Sequence, residues 1–561
     1  MKKIIINTLA FIMIMATMWS CYKDEGNYSY NENVNNLNIE VPKKITIKKD
    51  DTVFVIRPKI SQSILKDSKN LKFKWTVSTK DDQDLGKVTS TGDTLALVID
   101  TKAQEFYYQY FIRFYVTDTV NNLREMHPIE FNIRKPYEPA WMILHKDGAT
   151  KLGSIEFLEE TPLVSYDAYY ENQKKQLSGD PVKLGLLSMP VSRGEYTYWN
   201  HNAASVLYCF TTNAEESGIL MQDKHLTLDG TMQKYIYSFD YAGWNPSKVT
   251  NVDSDGAGAV LLSDGKAFQG SQSSPILYAL NPNNWLEGEC YVEKVASVGN
   301  RHILYETKRN RLLTAQTAWN YYEEIHSGND YKDEMVVLPS NANSPNSPEA
   351  SSVLSPDKKI IYLGKGYWYG KGATIASWAR HSIYAVALSQ QKKQLYLYDI
   401  HPYAIESYFS DDTDKMSIPA FYTVRLPEGI NETTPFASSQ EYNLVLFYGS
   451  GNKIYKLDFA TANADPILIY EHPDASIQAK AMTFAKSGNY SDPNGKPEES
   501  PFLQYGHPVT RSIGIAFDTA DGKGEFIILN LSNSGNIAPK GKYPSVQTFK
   551  GFGKITDIKF I

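Results

Sequence analysis

The sequence predicts an all-β protein with two parts, a β-sandwich followed by a β-propeller of about seven blades. Three observations lead to this prediction. Residues 37–135 contain short runs in which apolar and polar residues alternate or apolar residues follow one another. A strand motif that closes on Asp or Asn recurs through the rest of the chain. Tyrosine, which is common in strands, occurs 39 times among 561 residues.

Residues 1–20 predict a secretory signal peptide. Lys2 and Lys3 precede an apolar stretch that is shorter than the roughly 20 residues a helix needs to cross a bilayer. The stretch ends at Ser20-Cys21, and a small residue before a cysteine resembles the lipobox of bacterial lipoproteins. The resemblance implies lipidation of Cys21. An ordinary signal peptide with a chance cysteine is the alternative.

The residues after Cys21 predict the side of the membrane that the protein faces. Lys23, Asp24 and Glu25 resemble the surface-export signal of Bacteroidota lipoproteins, which carries acidic residues at this place. The resemblance implies a lipid-anchored protein of the outer membrane, on its extracellular side. A solvated segment with incidental charges is the alternative. Residues 21–36 are polar and rich in Asn, which predicts a flexible tether.

Length and charge limit the function classes. A chain of 561 residues is too long for one ordinary core and predicts two or more units. The formal net charge is -6, and removing Lys2 and Lys3 with the signal peptide leaves -8. The absence of basic blocks argues against nucleic acid as a partner. No later apolar run is long enough to span a membrane, so we expect attachment through the lipid anchor only.

Two cysteines remain besides Cys21. Cys209 and Cys290 would lie in an oxidising compartment, where a disulfide can form. Both stand beside strand-like segments, so two buried free thiols are an equally good interpretation. No cysteine or histidine spacing indicates a zinc site.

Residues 37–135 predict the sandwich. Strands are expected at 73–78, 94–100, 110–118 and 129–134, and Trp75 stands in mid-strand as the core tryptophan of immunoglobulin-like sandwiches does. The ending Val116-Thr117-Asp118, followed by a turn, resembles PKD and Ig-like modules. We therefore predict an Ig/PKD-like β-sandwich, which ends before Pro136 because proline disrupts strand pairing.

Residues 140–561 predict the propeller. The repeated strand motif occurs at 235–241, 276–282, 394–400, 453–459 and 526–532. Its closing residues are spaced by 41, 118, 59 and 72 residues, and the double interval predicts a degenerate copy at 333–339. About 420 residues at roughly 60 per blade correspond to about seven blades. A second set of sandwiches is the alternative.

The two ends of this region predict how it begins and closes. Residues 141–157 form a predicted hairpin around Asp147-Gly148, which would start the first blade. Residues 553–561 form a predicted strand, which we expect to pair with the first blade and close the ring.

These features together resemble one family. A surface-type lipoprotein signal, one PKD/Ig-like domain, the segment WMILHKDG at 141–148 and the ending FGKITDIKFI at 552–561 are similar to the PKD-like lipoproteins of Bacteroidota. The resemblance implies an accessory of a Sus-type transporter, a barrel with a lid lipoprotein that imports glycans or peptides. It carries over no catalytic residues.

A search for catalytic motifs is negative. The sequence has no HExxH, no GxSxG, no P-loop and no dinucleotide-binding GxGxxG after a strand. Ser263-Asp264-Gly265 only loosely echoes the Asp-box of sialidases and is better interpreted as a hairpin turn. The sequence leaves an enzymatic and a non-enzymatic role open and favours the non-enzymatic one.

One segment suggests a metal site. Asn251, Asp253 and Asp255 place oxygen ligands at alternate positions before Gly256, as at the start of an EF-hand-type calcium loop. The later ligand positions hold Ala259 and Leu262, which cannot bind calcium. A plain Asp/Gly turn is the alternative, and no other cofactor is expected.

Aromatic clusters between strand-like segments are the candidate ligand-binding residues. Aromatic rings stack on sugars or cover peptide side chains at a modest entropic cost. Packing between blades is the alternative. The candidates are Tyr198, Trp199, Trp319, Tyr322, Trp368, Tyr369, Trp378 and Arg380.

Three function classes remain open. The first is a non-enzymatic ligand-binding or docking accessory of a Sus-type uptake complex for glycans or peptides. The second is a surface hydrolase of glycans or peptides on a propeller, since propellers host many functions. The third is a structural or adhesion protein. The missing catalytic motifs and the family resemblance favour the first.

Overall fold

The computed structural model describes most of the chain after residue 34. The described residues are 35–48, 53–65, 67–78, 87–98, 109–134, 140–156, 162–188, 205–221, 226, 228–231, 245–255, 258–271, 277–282, 290–299, 301–316, 334–338, 353–368, 381–402, 417–485, 511–539 and 544–561. The fold is all-β, as predicted, and divides into two compact units, Met1–Lys135 and Pro136–Ile561.

Unit 1 contains nine strands in its described part. A five-stranded sheet has the order β2-β9-β8-β5-β6, with β2 and β9 parallel, and two two-stranded sheets pair β1 with β4 and β3 with β7. The strands are β1 (Leu37–Glu40), β2 (Lys44–Lys48), β3 (Val53–Ile56), β4 (Lys59–Gln62), β5 (Leu71–Ser78), β6 (Lys87–Ser90), β7 (Leu95–Val98), β8 (Gln109–Asp118) and β9 (Leu123–Arg134).

The core of unit 1 is organised around Trp75. This residue on β5 is fully buried, as expected, and its ring stacks on Phe114 of β8 with centroids 4.1 Å apart. The Trp75 Nε1–H donates to the carbonyl of Gly92 at 2.9 Å, so the buried indole has its polar group satisfied. Alternate residues of β5 and β8 face this core, which is the period-2 pattern visible in the sequence.

Unit 2 consists of 28 described strands and one short α-helix. They are β10 (Ala140–Asp147), β11 (Ala149–Glu156), β12 (Leu163–Ser165), α1 (Ala168–Gln173), β13 (Pro181–Ser188), β14 (Ser205–Thr211), β15 (Gly218–Met221), β16 (Leu228–Thr231), β17 (Val249–Asp255), β18 (Gly258–Ser263), β19 (Lys266–Ser271), β20 (Tyr278–Ala279), β21 (Asn281–Pro282), β22 (Val292–Val298), β23 (Arg301–Glu306), β24 (Arg311–Gln316), β25 (Glu334–Val337), β26 (Lys358–Trp368), β27 (His381–Ser389), β28 (Gln394–His401), β29 (Ser417–Arg425), β30 (Phe436–Ser438), β31 (Val445–Ser450), β32 (Lys453–Asp458), β33 (Ile467–Glu471), β34 (Gln478–Phe484), β35 (Ser512–Asp518), β36 (Lys523–Asn530) and β37 (Val546–Phe560). A single 3₁₀ turn, Pro246–Lys248, precedes β17 among the described residues.

The strands of unit 2 form antiparallel groups of four that follow chain order. Five groups are β13–β16, β17–β20, β22–β25, β26–β29 and β30–β33, and β21 adds a short parallel pair beside β25. The remaining seven-stranded sheet has the order β12-β11-β10-β37-β36-β35-β34. We number the groups sheet 2 (β13–β16) to sheet 6 (β30–β33), followed by sheet 7 (β34–β36 and the first half of β37).

The last strand belongs to two groups. Residues 546–553 of β37 pair with β36, and residues 554–560 pair with β10, as predicted for the C-terminal strand. The second half of β37 therefore completes a group of four strands with β10, β11 and β12. We call this group sheet 1. Seven groups of four strands result in the described part of unit 2, in agreement with the expected repeat number.

The repeated motif marks different strands in different sheets. Its copies at 394–400, 453–459 and 526–532 lie on third strands, namely β28, β32 and β36. The copy at 276–282 lies on the fourth strand of sheet 3, and the predicted degenerate copy at 333–339 coincides with the fourth strand β25, not with the third strand β24. The motif is a local strand ending and does not encode the position of a strand within its sheet. The copy at 235–241 lies outside the described residues.

Buried apolar side chains join each sheet to the next. One cluster combines Leu312 of sheet 4 with Tyr398 of sheet 5, and another combines Leu397 of sheet 5 with Leu446 of sheet 6. The first strands of consecutive sheets contact one another, and β37 contacts both β34 and β13. Within the described parts of the chain, no helix is both long and apolar enough to cross a membrane.

Candidate ligand-binding end of unit 2

The connections between strands differ in length at the two ends of the sheets. Second and third strands are joined by short turns of one to six residues, such as Gly148, Asp264-Gly265 and Gly451-Asn452. Asp264 and Gly265 have φ of 50° and 78°, so this segment is a hairpin turn, as predicted. The longest connections join first to second or third to fourth strands, as between β13 and β14, β24 and β25 or β26 and β27. Some connections of this kind are short, and those between β17 and β18 and between β22 and β23 have two residues each.

Antiparallel order places all these long connections at one end of a sheet. In a four-stranded meander the first-to-second and third-to-fourth connections leave the same edge, opposite the second-to-third turn. We call this edge of unit 2 the long-loop end and the other edge the short-turn end. The candidate aromatic residues belong to long connections of sheets 2, 4 and 5.

Contacts between sheets show that these three sheets present their long connections in the same direction. Asn251 Nδ2 donates to the Val295 carbonyl at 2.9 Å, and Ser297 N–H donates to Asp253 Oδ2 at 2.6 Å. The residue number rises on both strands from the first contact to the second, from 251 to 253 and from 295 to 297. Strands β17 and β22 therefore run in the same direction. On β13, the Leu186 carbonyl accepts from Ser254 Oγ, and Gly185 lies against the side chain of Val252, so β13 and β17 also run in the same direction.

Sheets 4 and 5 meet at the long-loop end. Arg301, the first residue of β23, donates from Nη1 to the carbonyl of Pro402, just beyond β28, at 3.1 Å. Both residues begin or follow strands at this end, and Arg301 is buried. The long connections of sheets 2, 4 and 5 therefore open on the same side of unit 2.

Most of the predicted ligand-binding side chains lie outside the described residues. This holds for Tyr198 and Trp199 in the β13–β14 connection, for Trp319 and Tyr322 in the β24–β25 connection, and for three residues of the β26–β27 connection, namely Tyr369, Trp378 and Arg380. Trp368 is the last residue of β26, and its backbone pairs with that of His381 on β27. The connection that follows Trp368 therefore starts and ends at adjacent residues of the long-loop end.

The long-loop end of sheet 5 also carries a carboxylate and an imidazole beside the aromatic candidates. Asp399 and His401 are two residues apart on β28, and Asp399 Oδ2 lies 3.4 Å from His401 Nε2. The other oxygen, Oδ1, is buried and accepts no hydrogen bond from the described residues. Burial and the negative charge of Asp399 raise the pKa of Tyr384 and of Tyr422 beside it.

This group is a partly buried polar pair at the end where the connection after β28 begins. The Asp399 Oδ1 atom is closed to solvent, and the neighbouring tyrosines stay protonated at neutral pH. The sequence did mark Asp399 as the polar end of a repeated strand, but its pairing with His401 is visible only once β28 places both side chains on one face.

The predicted calcium ligands lie on a strand and not in a loop of the EF-hand type. Asn251, Asp253 and Asp255 all lie within strand β17, and Asp255 pairs with Gly258 across the hairpin to β18. The side chains of Asn251 and Asp253 bind the backbone of β22 instead of a common centre. Among the described residues, no group of three or more His, Cys, Asp or Glu side chains is placed to hold a metal ion.

A second aspartate makes the same kind of contact between sheets. Asp557 of β37 accepts from the Leu184 N–H of β13 at 2.9 Å and lies 3.3 Å from Lys183 Nζ. Like Asp253, it uses a carboxylate on one first strand to satisfy a backbone donor on the next. Sequence reasoning missed this role because the partners stand 373 residues apart.

The three cysteines have separate positions. Cys21 lies outside the described residues. Cys209 is buried on β14 and Cys290 is half-buried before β22, and both are free thiols. Burial raises the pKa of Cys209 to about 12, so this thiol is unreactive at neutral pH. Of the two interpretations of these residues, the structure has the unpaired one.

Comparison with known proteins supports the assignment of unit 1. Residues 21–181 match the PKD-like family. The chain therefore contains a PKD-like domain. The match continues past Lys135 and includes β10 to α1 of unit 2. No curated protein matches the chain.

Several solved structures are similar to the chain. A quinoprotein alcohol dehydrogenase-like protein from Bacteroides thetaiotaomicron has 11% identity and a TM-score of 0.41, and the similarity covers 92% of this chain and 96% of that one. Apo AztD from Citrobacter koseri has 11% identity and a TM-score of 0.37 over 75% of this chain and 98% of its own. A TolB-type protein from Agrobacterium tumefaciens has 10% identity and a TM-score of 0.30 over 57% of this chain and 92% of its own.

Proposed function

We propose that this protein is a cell-surface lipoprotein that captures a glycan or peptide ligand, or docks, as a non-enzymatic accessory of a Sus-type outer-membrane uptake complex. Its partners would be the transporter barrel and its lid lipoprotein, and its anchor would be lipidated Cys21. One observation carries the proposal: the long connections of sheets 2, 4 and 5 open at one end of unit 2 and contain the candidate aromatic residues.

We propose further that the seven sheets form a closed propeller. The supporting contacts are the pairing of β37 with both β36 and β10, and the contacts of first strands from one sheet to the next. A closed ring holds the long connections of different sheets at fixed positions around one rim, which lowers the entropic cost of ordering a shared binding surface.

The ligand-binding proposal is tested with the mature chain carrying Cys21→Ser, which removes the acyl anchor. A panel of glycans and peptides is screened by isothermal titration calorimetry. The variant Trp199→Ala/Trp319→Ala/Trp378→Ala is expected to weaken binding at least tenfold, because aromatic anchors commonly contribute about 2 kcal/mol or more each.

A matched control removes an exposed aromatic ring at the short-turn end. Tyr170 of α1, between β12 and β13, is 44% exposed, so Tyr170→Ala is expected to leave affinity unchanged. Equal loss of affinity in both variants, or loss of folding in the triple variant and in each single variant, would contradict a binding surface at the long-loop end. Release of shorter products from any panel member would establish a hydrolase instead.

The docking proposal is tested by affinity purification of the lipidated protein from outer membranes. Co-purification of a Sus-type barrel and its lid lipoprotein is the expected result. Recovery of the protein without them, together with no binding in the ligand panel, would favour the structural or adhesion role.

A further inference from the structure

The outer face of the five-stranded sheet in unit 1 is basic. Alternate residues of β5, β8 and β9 turn away from the Trp75 core, and the register aligns Lys74 with Tyr115 and Tyr115 with Met126. Four cations lie on this face of the central strands, namely Lys72, Lys74, Arg113 and Arg124. We call this set with Tyr115 and Met126 the basic face.

Three cations of the basic face have no carboxylate partner among the described residues. Lys72 and Arg124 are exposed, and no carboxylate of the described residues lies within 4 Å of Lys72, Lys74 or Arg124. The acidic residue described on this face is Glu130, and it pairs with Lys44 at 3.1 Å. The chain has a formal net charge of -6, so this cluster is a positively charged patch on a protein that is negative as a whole.

An aromatic ring organises the centre of the basic face. The Arg124 guanidinium lies 4.3 Å from the centroid of Tyr115, and Lys74 Nζ lies 5.6 Å from it. These cation–π contacts hold the charges in place without neutralising them. Met126 beside Tyr115 is 49% exposed, so the face combines positive charge with an apolar side chain. That combination suits the headgroup region of an anionic membrane.

The position of this sheet in the chain indicates which anionic surface it meets. Asn35, where the described structure begins, follows Cys21 by 14 residues, which span at most about 50 Å when fully extended. If Cys21 is acylated, unit 1 cannot leave the vicinity of the membrane that holds the anchor. We propose that the basic face binds the phosphate headgroups of that membrane and holds unit 1 against it. This proposal rests on the proposed anchoring at Cys21.

The test uses the full mature chain with Cys21→Ser, so that binding does not depend on an acyl chain. Co-sedimentation is measured with vesicles of phosphatidylglycerol and phosphatidylcholine, and with phosphatidylcholine alone. Binding to the anionic vesicles is expected, with loss at high salt. The variant Lys72→Gln/Lys74→Gln/Arg124→Gln should bind about a hundredfold more weakly, because each basic residue near an anionic surface contributes about fivefold.

A matched control removes the same charge elsewhere in unit 1. Lys43, Lys59 and Lys69 are exposed lysines outside the basic face, and changing all three to Gln should leave vesicle binding within about twofold of the parent chain. Thermal unfolding verifies that each variant folds, and the single variant Lys72→Gln, at an exposed position, replaces the triple variant if that one does not.

Two results would overturn the proposal: no binding of the parent chain to anionic vesicles, or equal weakening in both triple variants. Binding of the soluble polyanion polygalacturonate through the basic face, without vesicle binding, would also overturn it and identify an anionic glycan site. Mass spectrometry of Cys21 separately tests the anchor. An acylated Cys21 without vesicle binding removes the basic-face proposal alone, and vesicle binding with an unmodified Cys21 removes the anchor alone.

Discussion

His145 and Gly553 are joined by a hydrogen bond where the last strand of the chain pairs with the first strand of unit 2. The Gly553 N–H donates to His145 Nδ1 at 3.0 Å, and His145 Nε2 lies 2.8 Å from the carbonyl of Tyr166. A register shift in the β10–β37 ladder falls at this histidine. Because Nδ1 must accept while Nε2 donates, this geometry requires the neutral imidazole.

Unit 2 should therefore lose stability in mild acid through His145. Burial lowers the pKa of His145, and the positive charge of Lys151 lowers it further. The hydrogen bond to the Tyr166 carbonyl and the negative charges of Asp167 and Asp147 raise this pKa but do not outweigh the lowering. A depressed folded-state pKa means that stability is fully present above the unfolded value of about 6.5 and is lost as pH falls through the folded pKa.

The measurement is the Tm of unit 2 between pH 7.5 and 5 for the parent chain and for His145→Asn. Asn retains an acceptor for Gly553 and does not titrate, so the variant should lose less stability on acidification. It is expected to be about 1 kcal/mol less stable at pH 7.5, because it no longer reaches Tyr166. Parallel pH curves for both proteins would contradict the prediction.

Unit 1 should lose more stability than unit 2, at a lower pH, when Asp118 becomes protonated. Its carboxylate is fully buried, and although burial opposes ionisation, hydrogen bonds from Asn70, Asn121, the Val120 N–H and Asn35 hold its pKa well below the usual range. Stability from this group is present above the unfolded pKa of about 3.9 and is lost as pH falls below it.

Asp118→Asn should destabilise unit 1 by about 3 kcal/mol, because an amide group would turn a donor toward the donating asparagines. Urea unfolding followed by tryptophan fluorescence measures this loss. Asp93→Asn, at an exposed position of the same unit, is the control and should change stability by no more than about 0.5 kcal/mol. Equal effects of both changes would argue against the buried hydrogen-bond network.

Asp253 should act in the packing of sheets 3 and 4 and not in calcium binding. Asp253→Ala leaves the Ser297 N–H without the carboxylate oxygen to which it now donates, and we expect a loss of about 1–3 kcal/mol in unit 2. The loss should be the same with calcium and with a chelator. A calcium-dependent rise of Tm in the parent chain that is absent from the variant would restore the metal hypothesis.

Gly514 should not tolerate a side chain. A Cβ at this position of β35 would lie 2.5 Å from the ring of Trp141, which is fully buried on β10 and packs against Phe526 and Phe560. Gly514→Ala therefore forces the indole to move, at a cost of about 1–3 kcal/mol. The control is Gly92→Ala in unit 1, where a Cβ meets only ordinary contacts, so the change should leave the stability nearly unchanged. Gly522→Ala is unsuitable because Gly522 has a φ of 78°, which strains any other residue. Equal melting temperatures for Gly514→Ala and the parent chain would contradict the packing described.

The strand content, the core position of Trp75 and the tight turns were predictable because they depend on neighbouring residues. Alternation with period 2 identifies a half-buried strand, and Asp264-Gly265 adopts positive φ in a two-residue turn. The pairing of β37 with β10 was also predictable, since a strand at the end of a repeat array needs an edge to pair with.

Other features depended on the tertiary structure. Which strand of a sheet carries the repeated motif, and which side chains meet between sheets, depend on contacts between residues far apart in the chain. Asn251 and Asp253 have the spacing of calcium ligands, yet their side chains form hydrogen bonds with the backbone of β22. Only the packing of two sheets brings that backbone close enough. Asp399 and His401 form a pair because both side chains lie on one face of β28 at the long-loop end.

The sequence alone thus determined the fold class, the approximate repeat number and the expectation of an anchor at Cys21, because each rests on local patterns. Only the tertiary structure decided that the long connections of three sheets share one end, and that four cations of unit 1 gather on one sheet face. The physical reason is that strand direction and register between distant segments are set by burial and by hydrogen bonding over the whole sheet, which no short stretch of residues encodes.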